Sequence, residues 1–262
     1  MQNFDFVKPS TIAEAVAALG SEDAQALSGG QTLIPTMKQR LATPATLVSL
    51  TGIAEMKGVC EGDGSLHIGA ATPHAVVAAE ARAHYPALAD LAGGIGDPAV
   101  RSRGTVGGSL ANNDPAACYP SGALASGATI VTNKRSIAAD DYFTGLFSTA
   151  LEEGEIITKV AFPIPEKAAY VKFEQPASRF ALTGVFVAKY ASGVRVAVTG
   201  ASNDGVFRWT EAEEALSANF SADAIAGLSV EADTMISDLH GTAAYRAHLV
   251  KVLTGRAVSG AK

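Results

Sequence analysis

Ser28-Gly29-Gly30-Gln31-Thr32 and Thr105-Val106-Gly107-Gly108-Ser109-Leu110-Ala111-Asn112-Asn113-Asp114-Pro115 are the two stretches whose reading decides the fold. Each follows a run able to be a strand or extended loop. Each places two adjacent glycines where any side chain would hold the backbone away from a ligand. Paired glycines followed by small hydroxyl residues leave several N–H groups free to converge on one anionic oxygen. A lone Gly-Gly is most often only a turn. Two of them in one chain read as the jaws of a single anion site.

Around the first jaw the pattern is regular. Phe4 to Pro9 reads as a strand, and Thr11-Ile12-Ala13-Glu14 as a capping box ahead of Ile12, Val16 and Leu19 at helical spacing, stopped by Gly20. Gln25 to Leu27 reads as a strand into the jaw. A helix with Pro35 in its first turn follows through Met37, Lys38 and Leu41, then a strand from Thr46 to Leu50. A second unit starts near Gly58, with a hairpin turn at Gly62-Asp63-Gly64 and a strand from Ser65 to Gly69. Thr72-Pro73 is expected to cap a helix through Val76, Val77 and Ala81, and Tyr85 to Ile95 reads as a further helix broken at Gly96-Asp97-Pro98.

The run Gly94-Ile95-Gly96-Asp97-Pro98-Ala99 fits G-x-G-x-x-A, yet a Rossmann turn is rejected. Its glycines follow a helix rather than a strand, Pro98 is expected to interrupt any helix opening there, and the βαβ frame with its ribose-binding acid is missing. Beyond the second jaw come a helix from Cys118 to Ser126 and strands at Ala128 to Thr132 and Ile156 to Phe162. Pro163-Ile164-Pro165 marks the expected domain boundary. Ala181 to Tyr190 and Val194 to Ala201 form a hairpin around Ala191-Ser192-Gly193. Thr210 to Glu213 reads as a second capping box, and Tyr245, Leu249, Val252 and Leu253 as the apolar face of a last helix.

Composition narrows the function. The 262 residues, 48% hydrophobic and 18% charged with net charge −6, suit a globular protein and leave no basic footprint for nucleic acid. No run approaches the ~18 apolar residues of a membrane span, and the first residues show no signal-peptide pattern, so a cytoplasmic place is expected. Cys60 and Cys118 are too few for a disulfide framework or an iron-sulfur cluster. The five histidines, His67, His74, His84, His240 and His248, lack metal-ligand spacing, so no metal site is expected.

Hydrolysis is poorly served, since there is no G-x-S-x-G elbow and no P-loop lysine behind either jaw. Lys38 reads either as a phosphate contact or as a solvated helix lysine. Asp140-Asp141 reads as a turn rather than an acid/base dyad. What remains is a phosphate-rich cofactor clamped between two subdomains, better suited to carrying electrons than to making bonds.

Leu27 to Lys38 resembles the AGGHSLIPxMK signature, and Gly104 to Ser109 the GTIGGN signature, of the FAD subunits of molybdenum hydroxylases. That family includes the medium subunit of aerobic carbon monoxide dehydrogenase and the flavin segment of xanthine dehydrogenase. The likeness runs from Phe4 to about Val258. It implies an α+β chain: a two-subdomain FAD-binding domain of the vanillyl-alcohol-oxidase (PCMH) type over residues 1–165, divided at about 56, then a smaller C-terminal domain over 166–262 with a three-stranded sheet and helices. It also implies cofactor contacts. Leu27, Ser28, Gly29, Gly30, Gln31, Thr32, Leu33, Ile34 and Lys38 would supply the first jaw, and Thr105, Val106, Gly107, Gly108 and Ser109 the second. Asp114 would lie near the ribityl or ribose hydroxyls, Ile95 and Ile157 beside the cofactor, Cys118 and Lys172 close to it, and Phe180 over the isoalloxazine.

By the same resemblance Gln31 stands where relatives carry His and Ser109 where they carry Asn, while Cys118 replaces an acid of some relatives, Glu174 a lysine of xanthine dehydrogenase and Arg179 an Asp of carbon monoxide dehydrogenase. A carboxylate at Glu174 would lower the flavin potential unless Lys172 or Arg179 compensates. With no cluster ligands here, the resemblance implies that molybdopterin sits on a large partner subunit and [2Fe-2S] clusters on a small one, arranged as a dimer of heterotrimers. This chain would relay electrons through FAD to an outside acceptor, and would meet the inner membrane only through that complex. The alternative is a self-sufficient flavoprotein oxidase or dehydrogenase with a substrate pocket near Phe180, for which Asp97, Asp141 and His240 are the nominal acid/base groups.

Overall fold

The computed structural model describes residues 1–262. Its opening layer holds β1 (Asp5–Val7), α1 (Ile12–Leu19), β2 (Ala24–Leu27), α2 (Leu33–Lys38) and β3 (Thr46–Ser49). The strands are parallel in the order β1-β3-β2, which leaves β2 as an outer strand. Thr11 caps α1 as expected, its hydroxyl accepting from the Glu14 N–H at 3.2 Å. The Glu14 carboxylate accepts from the N–H of Ser10 at 2.7 Å, so the box closes one residue earlier than its usual form.

The second layer contains β4 (Val59–Gly62), β5 (Ser65–Gly69), α3 (His74–Glu80), α4 (Pro86–Gly93), α5 (Pro98–Arg103), α6 (Val106–Asn112), α7 (Tyr119–Ser126), β6 (Thr129–Thr132), β7 (Ser136–Ala138), α8 (Ala139–Tyr142), β8 (Phe143–Gly145), β9 (Ser148–Thr149) and β10 (Ile157–Pro163). Five of the strands make an antiparallel sheet, β4-β5-β10-β6-β7, while β8 and β9 form a ribbon of their own. Asp63 and Gly64 both take positive φ, 52° and 70°, as the tight turn between β4 and β5 requires.

The last part consists of β11 (Lys167–Glu174), β12 (Ala181–Tyr190), β13 (Gly193–Ser202), β14 (Gly205–Arg208), α9 (Thr210–Ala218) and α10 (Ala243–Gly260). Its antiparallel sheet runs β11-β12-β13-β14. The period of two along β12 and β13 divides their side chains between two cores. Phe186, Ala188 and Ala197 join the core built from α4, α7 and the second layer. Val185, Val187, Val194, Val196 and Val198 face a second core closed by Trp209, Leu216, Leu249 and Leu253. Burial on both faces explains why β12 is apolar at four successive positions, Val185 to Ala188. No helix is long and apolar enough to cross a membrane.

The α+β class holds, but several local expectations change. The second glycine pair is not a loop: Thr105 is the N-cap of α6, its hydroxyl accepting from Gly108 N–H at 3.2 Å, and the glycines form the first helical turn. Pro98 does not prevent a helix; it starts α5, where its missing N–H costs nothing and Asp97 caps by accepting from Val100 N–H at 2.9 Å. Neither Thr72 nor Thr210 caps a helix. The Thr72 hydroxyl instead donates to Gly58 O and accepts from Gly58 N–H, fastening the start of β4. Glu213 is drawn away from its helix end to Arg208 and to the N–H of Val196. The C-terminal sheet has a fourth strand because β13 turns back tightly at Asn203-Asp204 into β14. On α10 the buried stripe runs through Arg246, Leu249, Val250 and Leu253, while Tyr245 is exposed and meets the Phe173 ring edge-on.

Arg246 is a charged residue buried beside the second core. It donates to Leu182 O at 2.6 Å, to Gly200 O at 2.7 Å and to Asp238 at 2.8 Å, joining α10 to β12 and β13. Arg246→Ala leaves two buried carbonyls without donors and is expected to cost about 3 kcal/mol of stability. Urea unfolding with an unchanged m value checks this.

Candidate functional site

Between the two glycine pairs lies a cavity of about 520 Å³, within the range of cofactor sites. The first pair leaves β2 directly and enters α2. Across Ser28, Gly29, Gly30, Gln31, Thr32 and Leu33 no backbone N–H donates to any protein acceptor, since hydrogen bonding resumes only at Ile34, whose N–H donates to Gly30 O at 3.1 Å. Six successive free amides, turned by Gly30 at φ 70°, form a main-chain cradle for an anion. All six residues line the cavity.

The second pair behaves differently. Val106 N–H donates to Thr72 O, Gly107 N–H to Ala70 O at 2.9 Å, Gly108 N–H to the Thr105 hydroxyl and Ser109 N–H to Thr105 O. The expected supply of amides from this side is therefore absent, because helix capping and packing consume them. Its glycines serve closeness instead. A Cβ on Gly107 would stand 2.6 Å from the Ala70 Cβ, and one on Gly29 would stand 2.7 Å from the Gly104 Cα, too near for either to be tolerated. The jaws touch, and the hydroxyls of Ser28 and Thr105 share a hydrogen bond of 2.7 Å.

Of the residues singled out from the sequence, Leu27 through Leu33, Ile95, Thr105, Gly107, Gly108, Ser109, Asp114, Cys118, Ile157, Lys172 and Phe180 all line this one cavity. Ile34, Lys38 and Val106 do not. Lys38 lies exposed at the far end of α2, and Val106 is wholly buried in the core. Nor do Asp97, Asp141 or His240 reach the cavity.

One rim is built by the C-terminal sheet. Lys172 on β11 has a side chain only 5% exposed, donates to Gly94 O at 2.6 Å and Arg179 O at 2.8 Å, and stands 3.8 Å from Glu174. It thus fastens the α4–α5 turn to the loop carrying Phe180, an exposed residue that lines the cavity. Glu174 itself stays outside the lining. Burial pushes the Cys118 thiol pKa up, with Lys172 opposing, so this position offers a neutral group to the cavity. Asp114 accepts from Ala116 N–H at 2.8 Å, and β13 holds the same loop through Thr199, whose hydroxyl donates to the carbonyls of Pro115 and Ala117.

Sequence reasoning passed over His74 and Arg101. Arg101 donates to the carbonyls of Ile95 and Gly96 at 3.1 and 2.9 Å, shaping that turn. His74 is 4% exposed, lines the cavity, lies tilted against Tyr119 and carries a buried Nδ1 with no partner. Burial, helped by Arg101, lowers its pKa to about 4, so the imidazole is neutral at pH 7. Only its place as the first residue of α3, a polar side chain ahead of apolar ones, could have flagged it.

A main-chain anion cradle beside a long, partly apolar cavity defines a dinucleotide-binding protein. Residues 2–165 match the family described as the FAD binding domain in molybdopterin dehydrogenase. The carbon monoxide dehydrogenase medium chain of Afipia carboxidovorans is 34% identical, over 99% of this chain and 97% of that one. The nicotine 6-hydroxylase medium subunit of Paenarthrobacter nicotinovorans is 32% identical, over 97% and 95%. The solved carbon monoxide dehydrogenase of Hydrogenophaga pseudoflava superposes with a TM-score of 0.87 at 31% identity, over 98% of this chain and 96% of its counterpart. The chain belongs to the FAD-binding molybdopterin dehydrogenase family and is an oxidoreductase subunit whose cofactor is FAD.

The neutral His74 has a consequence for stability. The unfolded chain takes up this proton near pH 6.5, whereas the folded chain refuses it until about 4, so stability falls as pH drops through that window. His74→Gln is expected to remove about 2–3 kcal/mol of the loss between pH 7 and 4.5. Denaturant midpoints of both proteins across that range provide the check.

Proposed function

We propose that the chain is the flavin relay of a three-chain molybdenum hydroxylase. Electrons would arrive from [2Fe-2S] clusters on a small partner and leave for an external acceptor, while substrate is oxidised at molybdopterin on a large partner. The observation that carries this reading is the row of free amides from Ser28 to Leu33, which suits a diphosphate and makes no demand on a side-chain base. In this reading residues 1–165 form the flavin domain and 166–262 a second domain that supplies one rim.

Bound FAD supplies reversible uptake of two electrons. The chain's own residues would do the rest: the amides of 28–33 would hold the diphosphate, in a cradle whose width Ser28 and Thr105 fix, and Asp114 would accept from sugar hydroxyls. Ile95 and Ile157 exclude water, and Phe180 covers the mouth. Lys172 is the one lysine lining the cavity, placed to favour the negative charge gained on reduction. The self-sufficient oxidase reading is the weaker one, because its nominal acid/base groups lie outside the cavity.

The apo chain is expected to take up one FAD and turn yellow, and Gly29→Ala to weaken that uptake about tenfold or more through a backbone clash. A chain that stays colourless in excess FAD overturns the reading. So does consumption of an organic substrate by the lone subunit, whereas co-purification with a cluster-bearing chain and a larger chain supports it. Lys172→Met is expected to lower the flavin midpoint potential by on the order of 30 mV, measured by dye-equilibrated reduction of the loaded protein.

A further inference from the structure

We propose that His74 serves as a proton-accepting counter-charge for the diphosphate, so that cofactor uptake draws a proton onto its imidazole. This rests on the FAD reading above and adds to it a charge that the main-chain cradle does not supply.

The imidazole sits directly behind the contact between the jaws. A Cβ on Gly104 would stand 2.6 Å from His74 Nε2, and one on Gly29 would stand 2.7 Å from the Gly104 Cα. With one C–C bond allowed at each step, Nε2 lies within about 8 Å of the Gly29 Cα. Three contacts hold the ring there. His74 N–H donates to Gly104 O at 2.9 Å, Pro73 bridges to Thr105, and the Tyr119 ring lies tilted against it with centroids 5.2 Å apart.

Nothing in the chain gives this ring a countercharge. Nδ1 is buried with no partner, and so is the Tyr119 hydroxyl. From α5 the ring meets the field of the Arg101 guanidinium, which opposes protonation. Tyr119 on α7 is held neutral by burial, and Asp90 on α4 is paired at the surface with Arg82. The carboxylates lining the cavity are already engaged, Asp114 by Ala116 N–H and Glu155 by Arg135 and Thr132. Without an anion nearby His74 stays neutral, in line with its lowered pKa of about 4.

A diphosphate on the amides of 28–33 changes that balance. It brings two negative charges to about 10 Å from the ring, through protein that salt does not penetrate. Attraction at that range is worth on the order of a 100-fold gain in proton affinity. Little further desolvation opposes it, since the residue is already only 4% exposed.

The test is calorimetric titration of the apo chain with FAD at pH 8 and pH 5, each in two buffers of different ionisation enthalpy. Uptake of about 0.8 proton per FAD is expected at pH 5 and close to none at pH 8, with about tenfold tighter binding at the lower pH. His74→Gln should remove both the uptake and the pH dependence. Ring-nitrogen NMR signals of the parent chain give a second readout. One histidine gains a proton on FAD addition at pH 5, and of the five only His74 lines the cavity. FAD binding at pH 5 without proton uptake overturns the inference and leaves the flavin reading standing. So does uptake that persists in His74→Gln, which assigns the proton to another group. If that variant does not fold, the NMR signals of the parent chain decide. Absence of FAD binding at both pH values sinks the flavin reading itself.

Discussion

The hydrogen bond between the Ser28 and Thr105 hydroxyls, with Gly29 pressed against Gly104 beside it, is the contact on which the site depends. It joins a loop from the parallel sheet to the cap of a helix from the second layer. Once that distance is set, the chain from Ser28 to Leu33 cannot fold back to pair its own amides, and they remain pointed at the cavity. An anion at that place meets dipoles already oriented by the fold, so little reorganisation accompanies its binding. The cradle itself offers an anion main-chain donors, while the cationic side chains of the cavity, Lys172 and Arg179, belong to the rim built by the C-terminal sheet.

Much of this was legible from residues because the signals were local. Thr11 with Glu14, the Asp63-Gly64 turn and the Ala181–Tyr190 hydrophobic run each declare their structure within a few positions. The Gly29-Gly30 pair announces its free amides in sequence, since it joins a strand to a short helix through a left-handed glycine. Gly107-Gly108 looked the same on paper and proved to be the start of a helix, because what decides it is Ala70, distant in sequence and close in space. Pro98 misled in the same way: one residue, two possible meanings, with Asp97 tipping the balance toward a helix start. His74 and Arg101 were invisible because burial and carbonyl neighbours are tertiary facts. Lys172 became legible only through family resemblance, its partners Gly94 and Arg179 lying on two other elements.

The electrostatics of the cavity follow one theme. Groups that could compete for a proton are held neutral: His74 by burial with Arg101 nearby, and Cys118 by burial against the pull of Lys172. Glu155, which also lines the cavity, is kept ionised with a pKa of about 2 by Arg135 and Thr132, its lone pairs already committed to hydrogen bonds. The ammonium of Lys172 donates to two carbonyls and stands 3.8 Å from the Glu174 carboxylate, while Arg179 brings a second cation to the same rim. Such a lining suits a cofactor whose charge changes while its surroundings stay fixed.

The two-faced character of β12 and β13 reaches beyond the site. Phe186, Ala188 and Ala197 are at once part of the C-terminal sheet and of the core that α4 and α7 close from the other side. A chain severed at Pro165 would present that face to water on one fragment and an uncovered α4–α7 surface on the other. The C-terminal part keeps a core of its own on the other face of β12 and β13, yet the shared face ties its sheet to the layer before it, so loosening of that sheet would reach the cofactor cleft.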